Sequence, residues 1–560
     1  MKQLIVNSLG NYLPLKKEEI ENLIEIPPSP EFGDYSFPCF SLAKILKKNP
    51  NQIAEELKNK IKTGDNIERI EVKGAYLNFF VNKNKLIEKI VKEILEKKGN
   101  YGKANIKKQN IMIEFSQPNT HKAFHVGHIR GTSIGESISR ISEFFGEKVI
   151  RANYSGDTGM HIAKWIWCYK KYHSKEKLRN DESWIASIYV DAVKRITNNP
   201  KFQDEVDEIN KKLEEKEDKK LQDLWKKTRK LSIDSWGKIY SQLNTKFDVH
   251  YFESEVEKKA KEISLRLLKQ GIAEKSEGAV IMNLEKYNLG VWVLLRSDQT
   301  VLYSAKDLAL IEKKSNDYKL DKSLNIVGNE QDLHFKQLFK TLELIDFKHR
   351  KKFSYITFGM VRLPTGKMSS RTGDNILYSD FIEEITNHAK QNIKKRSPKI
   401  SKQELEKRAL IIAIAAIKFS MLKQSPDKDI IFQKEEALDF EGDTGPYIQY
   451  SYARASSILK KSGKKIKKDF KIKNLDEKEI EIAKKLSEFP EIVSNSYKNL
   501  NPAHIANYSY QLAKIFNEFY HACPVINSEN EDFRLALVES FRYVIKNSMN
   551  LLGIDVLEKM

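Results

Sequence analysis

The spacing of apolar positions changes character along the chain. Residues 50–61 carry Ile53, Leu57 and Ile61 on one helical face, with Asn49 placed to cap and Pro50 suited to the first turn. Residues 75–81, AYLNFFV, read as a strand. Between about residues 105 and 390, short apolar runs alternate with helical patterns. Those at 111–115, 148–153, 279–282 and 324–327 read as strands, and strand followed by helix, repeated, predicts a parallel sheet. From about residue 400 to 560 nearly everything has the helical period. A charged stretch at 170–240 interrupts the α/β pattern, and its heptad-like KKLEEKEDKKLQDLWKKTRKL predicts a solvent-facing helix without chemistry. The expected organisation is a multidomain α/β protein: an α+β domain over 1–100, a parallel-sheet core over 101–395 with a helical insertion near 170–240, and an all-α helical bundle over 400–560.

Composition narrows the class. A chain of 560 residues buries a large core without covalent staples, so its 3 cysteines, scattered at Cys39, Cys168 and Cys523, need hold nothing together. Thiolate zinc is not expected. The longest apolar run, residues 409–417, has nine residues, against about 20 for a membrane span. The N-terminus matches neither a secretory nor a transit pattern, and the expected location is the cytoplasm. The net charge of +20 suits a phosphate-rich partner such as nucleic acid, although lysine-rich coding would produce the same excess. The densest basic segment, KKSGKKIKKDFKIK at 460–473, is either a solvated loop or a phosphate contact.

Candidate chemistry begins at EFSQPNTHKAFHVGHIR, residues 114–130. An apolar strand precedes it and a helix with Ile134, Ile138 and Ile141 on one face follows. His125, Gly127 and His128 therefore fall on the first turn of a helix after a strand, where free N–H groups and the helix dipole favour anions. Two imidazoles can donate to phosphate oxygens, and Gly127 lets a nucleotide approach. A second segment, Gly366 to Gly373, puts Lys367, Met368, Ser369, Ser370 and Arg371 between glycines. Alone it is an ordinary surface loop. Paired with H-x-G-H, its cations suit the crowded charge of attack at an ATP α-phosphate. Tyr303 and Asp307, spaced i, i+4, share a helix face, and Glu114 ends a strand. By spacing these are either a plain helix face and a satisfied carboxylate, or partners for a cationic ligand.

HVGH and KMSSR resemble the HIGH and KMSKS motifs of class I aminoacyl-tRNA synthetases, with the last charge of the second carried by Arg371. The surrounding segments, among them RANYSGDTGMH, LLRSDQTVLYSAKDLAL, VGNEQDLHF, FGMVRLPTGKMSSRTGD and GDTGPYIQYSYAR, resemble the arginyl-tRNA synthetases over nearly the whole chain. The resemblance implies a Rossmann-type catalytic core, an N-terminal domain for the tRNA elbow and a helical anticodon-binding domain. It implies ATP with Mg²⁺, L-arginine and an arginine-accepting tRNA as partners, no membrane, no protein-bound metal, and a monomer. The implied catalytic residues are His125, His128, Lys367, Arg371 and Lys122. ATP falls to His125, Gly127, His128, Lys367, Met368, Ser369 and Ser370. Arginine falls to Glu114, Gln117, Asn119, His128, Tyr303, Asp307 and Gln331. The family also implies that activation waits for tRNA. The rival readings are a non-catalytic tRNA-binding paralogue, a small-molecule nucleotidyltransferase, and another class I synthetase such as the cysteinyl one.

Overall fold

The computed structural model describes residues 2–64, 66–362, 364 and 377–560. By internal contacts the chain divides into two units, Met1–Tyr101 with Arg454–Pro490 and Gln511–Ile545, and Gly102–Ala453 with Glu491–Tyr510 and Lys546–Met560.

In the first unit an antiparallel sheet joins Tyr35–Pro38, Tyr76–Val81 and Ile67–Lys73, with Tyr76–Val81 in the middle. The predicted helix forms as Pro50–Lys60, and the Asn49 side chain accepts from the Asn51 N–H. Its Ile53 and Leu57 are buried, as the spacing requires. In the helical part of the unit, Phe516 stacks on Phe541 with centroids 3.8 Å apart. The lysine-rich run takes its bland reading in part: Lys464, Lys467 and Lys473 face Glu531, Asp532 and Glu529.

The second unit is built on a five-stranded parallel sheet: β1 Asn110–Glu114, β2 Lys148–Ser155, β3 Val249–Phe252, β4 Lys322–Gly328 and β5 Phe353–Phe358, in the order β5-β4-β1-β2-β3. The chain leaves β1 toward β2 on one side and returns to β4 on the other. This reversal opens a crevice at the carboxyl ends of β1 and β4, the usual place for a ligand in such sheets. Helix α1, Val126–Phe145, follows β1. It lies close against the strand ends because Gly135 has no side chain: a Cβ there would stand 2.1 Å from Cγ of Phe115. Helices α2, Tyr303–Asp317, and α3, Asp332–Leu344, flank β4 in sequence and pack into one core with the sheet.

Two expectations change. The 279–282 run does form a strand, Ala279–Asn283, but it sits in a separate antiparallel sheet between Glu274–Ser276 and Val291–Leu295. A short apolar run fixes strand character, not the partner. The heptad-like stretch is not one helix. It breaks between Phe202–Glu215 and Lys219–Gln242, where Lys216 takes a left-handed φ of 60° and the Asp218 side chain caps the Leu221 N–H. The second helix is not simply solvent-facing, since Trp236, Ile239 and Tyr240 are buried.

Arg130, fully buried on α1, joins distant parts of this unit. Its Nη1 donates to the carbonyls of Gly359 (2.8 Å) and Met360 (3.1 Å), and its Nη2 to those of Pro426 (3.2 Å) and Lys428. Burial lowers its pKa to about 10, leaving it charged at neutral pH. Arg130→Met strands four carbonyls and should cost on the order of 3 kcal/mol. Urea unfolding followed by circular dichroism should show a lower midpoint, and an unchanged midpoint would remove this role from Arg130.

Candidate active site

The first turn of α1 fixes both histidines of HVGH. His125 is the N-cap, with extended φ and ψ, and its N–H donates to Nδ1 of His128 at 3.1 Å. His128 therefore carries its hydrogen on Nε2 if neutral, as its surroundings require: burial first, then His125 and Lys122, push its pKa well below the usual value. His125 is lowered to about 4 by burial and then by Lys122. Both rings are thus neutral donors at physiological pH. Their rings lie against each other with centroids 3.9 Å apart and planes tilted by 37°. The space at Gly127 was expected to admit a nucleotide. In the structure it admits His125, whose Nδ1 and Cε1 would lie 3.0 Å from a Cβ at that position.

The second motif residues, Lys367, Met368, Ser369, Ser370 and Arg371, lie outside the described residues. Their described flanks converge on α1. Upstream, Gly359 and Met360 are held by Arg130. Downstream, Leu377 bridges to His125, and the Tyr378 N–H donates to the Phe124 carbonyl at 2.9 Å.

A cavity of about 350 Å³ at the crevice is lined by Glu114, Gln117, Asn119, Tyr303, Asp307 and Gln331, all singled out from sequence. His128 does not line it, and Nδ1 of that ring is already taken by the His125 N–H. Lys122 lines a larger neighbouring cavity of about 980 Å³ that shares Asn119, Glu253 and Tyr303 with the first. Burial, and then Lys164, lower the pKa of Lys122.

Of the four carboxylates that line the cavity, Glu114, Glu253, Asp307 and Glu330, the two singled out from sequence differ. Glu114 is buried, and Nζ of the fully buried Lys314 lies 2.5 Å from its Oε2. Asn325 and Gln117 donate to Oε1 at 2.8 and 3.0 Å. Its charge is matched within the protein. Asp307 Oδ2 accepts from Nε2 of His334 at 2.5 Å, while Oδ1 accepts no hydrogen bond among the described residues. Tyr303 lies one turn away on α2 and is 60% exposed. The loop between β1 and α1 has left-handed φ at Ser116 (78°), Gln117 (52°) and His121 (62°). Non-glycine residues hold such angles at a cost, and they cluster at functional sites.

Sequence reasoning did not single out Lys314, Asn325, Tyr154 or His334. Tyr154 and His334 lie within the segments RANYSGDTGMH and VGNEQDLHF, so those segments offered the only signal. The Tyr154 hydroxyl is buried at the cavity wall with no hydrogen-bond partner among the described residues. Burial, then Asp307, raise its pKa well above the ordinary phenol value, so it remains a donor. Elsewhere, Cys168, His173 and Asp191 place possible metal-ligand atoms within 4.8 Å of one another. These groups already satisfy each other: His173 Nε2 and Arg195 Nε both lie on Asp191 Oδ2, at 3.0 and 2.7 Å. The arrangement is a closed ion-pair network, with a guanidinium where a cation would have to approach.

Three families match consecutive parts of the chain: "Arginyl tRNA synthetase N terminal domain" over 1–81, "tRNA synthetases class I (R), catalytic domain" over 90–434, and "DALR anticodon binding domain" over 448–560. The chain is 39% identical to the arginine–tRNA ligase of Clostridium perfringens and 38% to that of Clostridium beijerinckii, each over the full length of both chains. The crystal structure of Thermus thermophilus arginyl-tRNA synthetase superposes with a TM-score of 0.78 at 26% identity, over 100% of this chain and 99% of that one. Mycobacterium tuberculosis methionyl-tRNA synthetase, 10% identical, shares the fold with a TM-score of 0.50 over 80% of this chain and 92% of that one. No described helix is long and apolar enough to cross a membrane. With a nucleotide-type crevice, an acidic pocket and full-length matches to every part, the chain belongs to the arginyl-tRNA synthetase family of class I aminoacyl-tRNA ligases.

Proposed function

We propose that this chain joins L-arginine to its tRNA in two steps on one surface. The arginine carboxylate attacks the α-phosphate of ATP, giving arginyl-adenylate and pyrophosphate. The 2′-hydroxyl of the tRNA's terminal adenosine then takes the arginyl group and AMP leaves. The observation that carries the reading is the cavity at the β1–β4 crevice, where Asp307, whose Oδ1 accepts no hydrogen bond among the described residues, stands beside Tyr303. A guanidinium is planar and always charged, so a fixed carboxylate is its natural partner. Glu114, matched by Lys314, shapes the floor through Gln117 and Asn325 rather than supplying charge. Asn119, Gln331 and Tyr154 are the uncharged polar groups assigned to the α-amino and carboxylate ends, and Glu253 and Glu330 line the cavity beside them.

His125 and His128, neutral and at a helix N-terminus, are assigned to the ATP phosphates. Lys367 and Arg371 are assigned to the transition state by their motif, with Lys122 in support. Mg²⁺ arrives as part of the MgATP substrate. The protein supplies no nucleophile, and its contribution is positioning and fixed charge. The N-terminal domain, about 1–100, is assigned to the tRNA elbow and the helices after about 400 to the anticodon. The enzyme works as a cytoplasmic monomer. The rival paralogue would bind tRNA without exchange activity.

The reading makes three measurable statements. Arginine-dependent exchange of pyrophosphate into ATP should require tRNA, and equal rates with and without it would defeat tRNA-dependent activation. Asp307→Asn should lower kcat/KM for arginine about ten- to a hundredfold, the worth of one charged hydrogen bond, with little change in the KM for ATP. Normal charging by that variant would return Asp307 to a plain helix face. His125→Ala and Lys367→Ala should each lower kcat for adenylate formation by about 10²–10³. The double variant should fall less than the product of the two, because they serve one transition state. Pre-steady-state adenylate formation with tRNA present makes the comparison, and an effect confined to the KM for ATP would reduce both residues to nucleotide holders.

A further inference from the structure

The carboxylate that reads the guanidinium does not stand alone. His334, on the first turns of α3, touches both members of the α2 pair: its Nε2 lies 2.5 Å from Asp307 Oδ2, and its ring centroid lies 4.8 Å from that of Tyr303. Behind it, the indole N–H of Trp292 reaches His334 Nδ1 at 3.1 Å. An indole nitrogen is a donor only, so Nδ1 is the acceptor and Nε2 carries the hydrogen given to Asp307. Trp292 is 3% exposed in the core, so this end of the relay does not move with the pocket.

The strand that carries Trp292, Val291–Leu295, belongs to the antiparallel sheet and braces both helices. Ser304 on α2 donates to the carbonyl of Val293. Gln337, one turn beyond His334 on α3, donates to the carbonyls of Leu289 at 2.7 Å, just before the strand, and of Val291 at 3.5 Å, its first residue. Tyr303 and Asp307 on α2 and His334 on α3 are thus braced by this strand and the turn that leads into it. A carboxylate free to turn about its last torsion would meet a planar guanidinium in many orientations. One pinned through Oδ2 offers Oδ1 in one direction, which is the orientational gain of a preorganised site.

We propose that His334 is a positioning residue for arginine: held by Trp292, it fixes the Asp307 carboxylate and the Tyr303 ring as one guanidinium-reading face. The proposal rests on the reading of Asp307 as the guanidinium partner. It predicts a defect in arginine recognition, transmitted through Asp307, that leaves ATP untouched.

The test is aminoacylation and tRNA-supported exchange by the full chain, with KM for arginine, KM for ATP, kcat and the thermal midpoint measured for each variant. His334→Phe should raise the KM for arginine about tenfold with the KM for ATP nearly unchanged. His334→Gln, whose amide can still donate to Asp307, should stay within about threefold of the wild-type KM. Trp292→Phe, which removes only the donor behind the imidazole, should raise it by a smaller factor. In the Asp307→Asn background, adding His334→Phe should change the KM for arginine by less than about twofold, because the two act as a unit. Equal defects in the Phe and Gln variants, a rise shared by ATP, or independent effects in the double variant would each overturn the positioning role. If His334→Phe does not fold, the Gln and Trp292→Phe variants decide: a large arginine defect in the Gln variant, or none in Trp292→Phe, overturns it. A normal KM for arginine in Asp307→Asn itself would instead overturn the premise, and is recognised by that single variant.

Discussion

The second unit depends on one buried guanidinium. Arg130 is charged, excluded from water, and bonded to carbonyls at Gly359, Met360, Pro426 and Lys428. Burying a charge in this way is costly unless its donors are matched; the two terminal nitrogens of this planar fork meet carbonyls from separate chain segments, while Nε has no hydrogen-bond partner among the described residues. Because Arg130 stands on the helix that HVGH begins, the histidines and the approach to the second motif share one mechanical reference. The bridge from His125 to Leu377 ties the other flank to the same turn. The described flanks of the second motif are therefore tied to the helix of the first through hydrogen bonds to Arg130 and a backbone bridge at His125.

Electrostatic division of labour explains the pocket. Four carboxylates line the cavity: Lys314 matches Glu114, Lys306 pairs with Glu253, a histidine hydrogen bond positions Asp307, and Glu330 is exposed to solvent. Leaving all of them unmatched in a partly desolvated cavity would be costly without ligand, since charges of one sign repel and lose hydration together. The internal pairing of Glu114 and Glu253 removes most of that cost. The neutral histidines at the α1 terminus follow the same logic. Burial keeps them uncharged, so they add donors beside the anion-favouring helix end without adding fixed charge.

Charged features outside the site also have partners within the fold. Two lysines of the 460–473 run, Lys464 and Lys467, pair with the acidic first turn of Glu531–Leu551, where carboxylates also complement the helix dipole. The insertion packs on an aromatic cluster that joins its own Trp184 to Trp165, Trp167 and Tyr169 of the segment just before it, with Trp165 and Tyr169 stacked at 5.3 Å. Net charge alone would have assigned both segments to nucleic acid without distinguishing a partner in solution from a partner in the fold.

Local chemistry was legible in the sequence. The cap at Asn49, the strand and helix on either side of HVGH, and the i, i+4 pairing of Tyr303 with Asp307 depend on neighbours a few residues away, and short-range sterics and periodicity encode them. The segments that resemble the arginyl-tRNA synthetases identified the family for the same reason: each is a contiguous string. Tertiary structure alone decided what lies opposite each face. Periodicity marked 279–282 as a strand, but it did not reveal Val291–Leu295 or the separate sheet in which the two pair. Acidity marked Glu114 as a candidate but could not reveal Lys314, 200 positions on, closing over it. The break at Lys216 and Asp218 was hidden inside an unbroken charge pattern. A sequence states which side of an element must be buried or charged; which residue meets it is settled only when the chain has packed, because that choice is made between segments with no local information about each other.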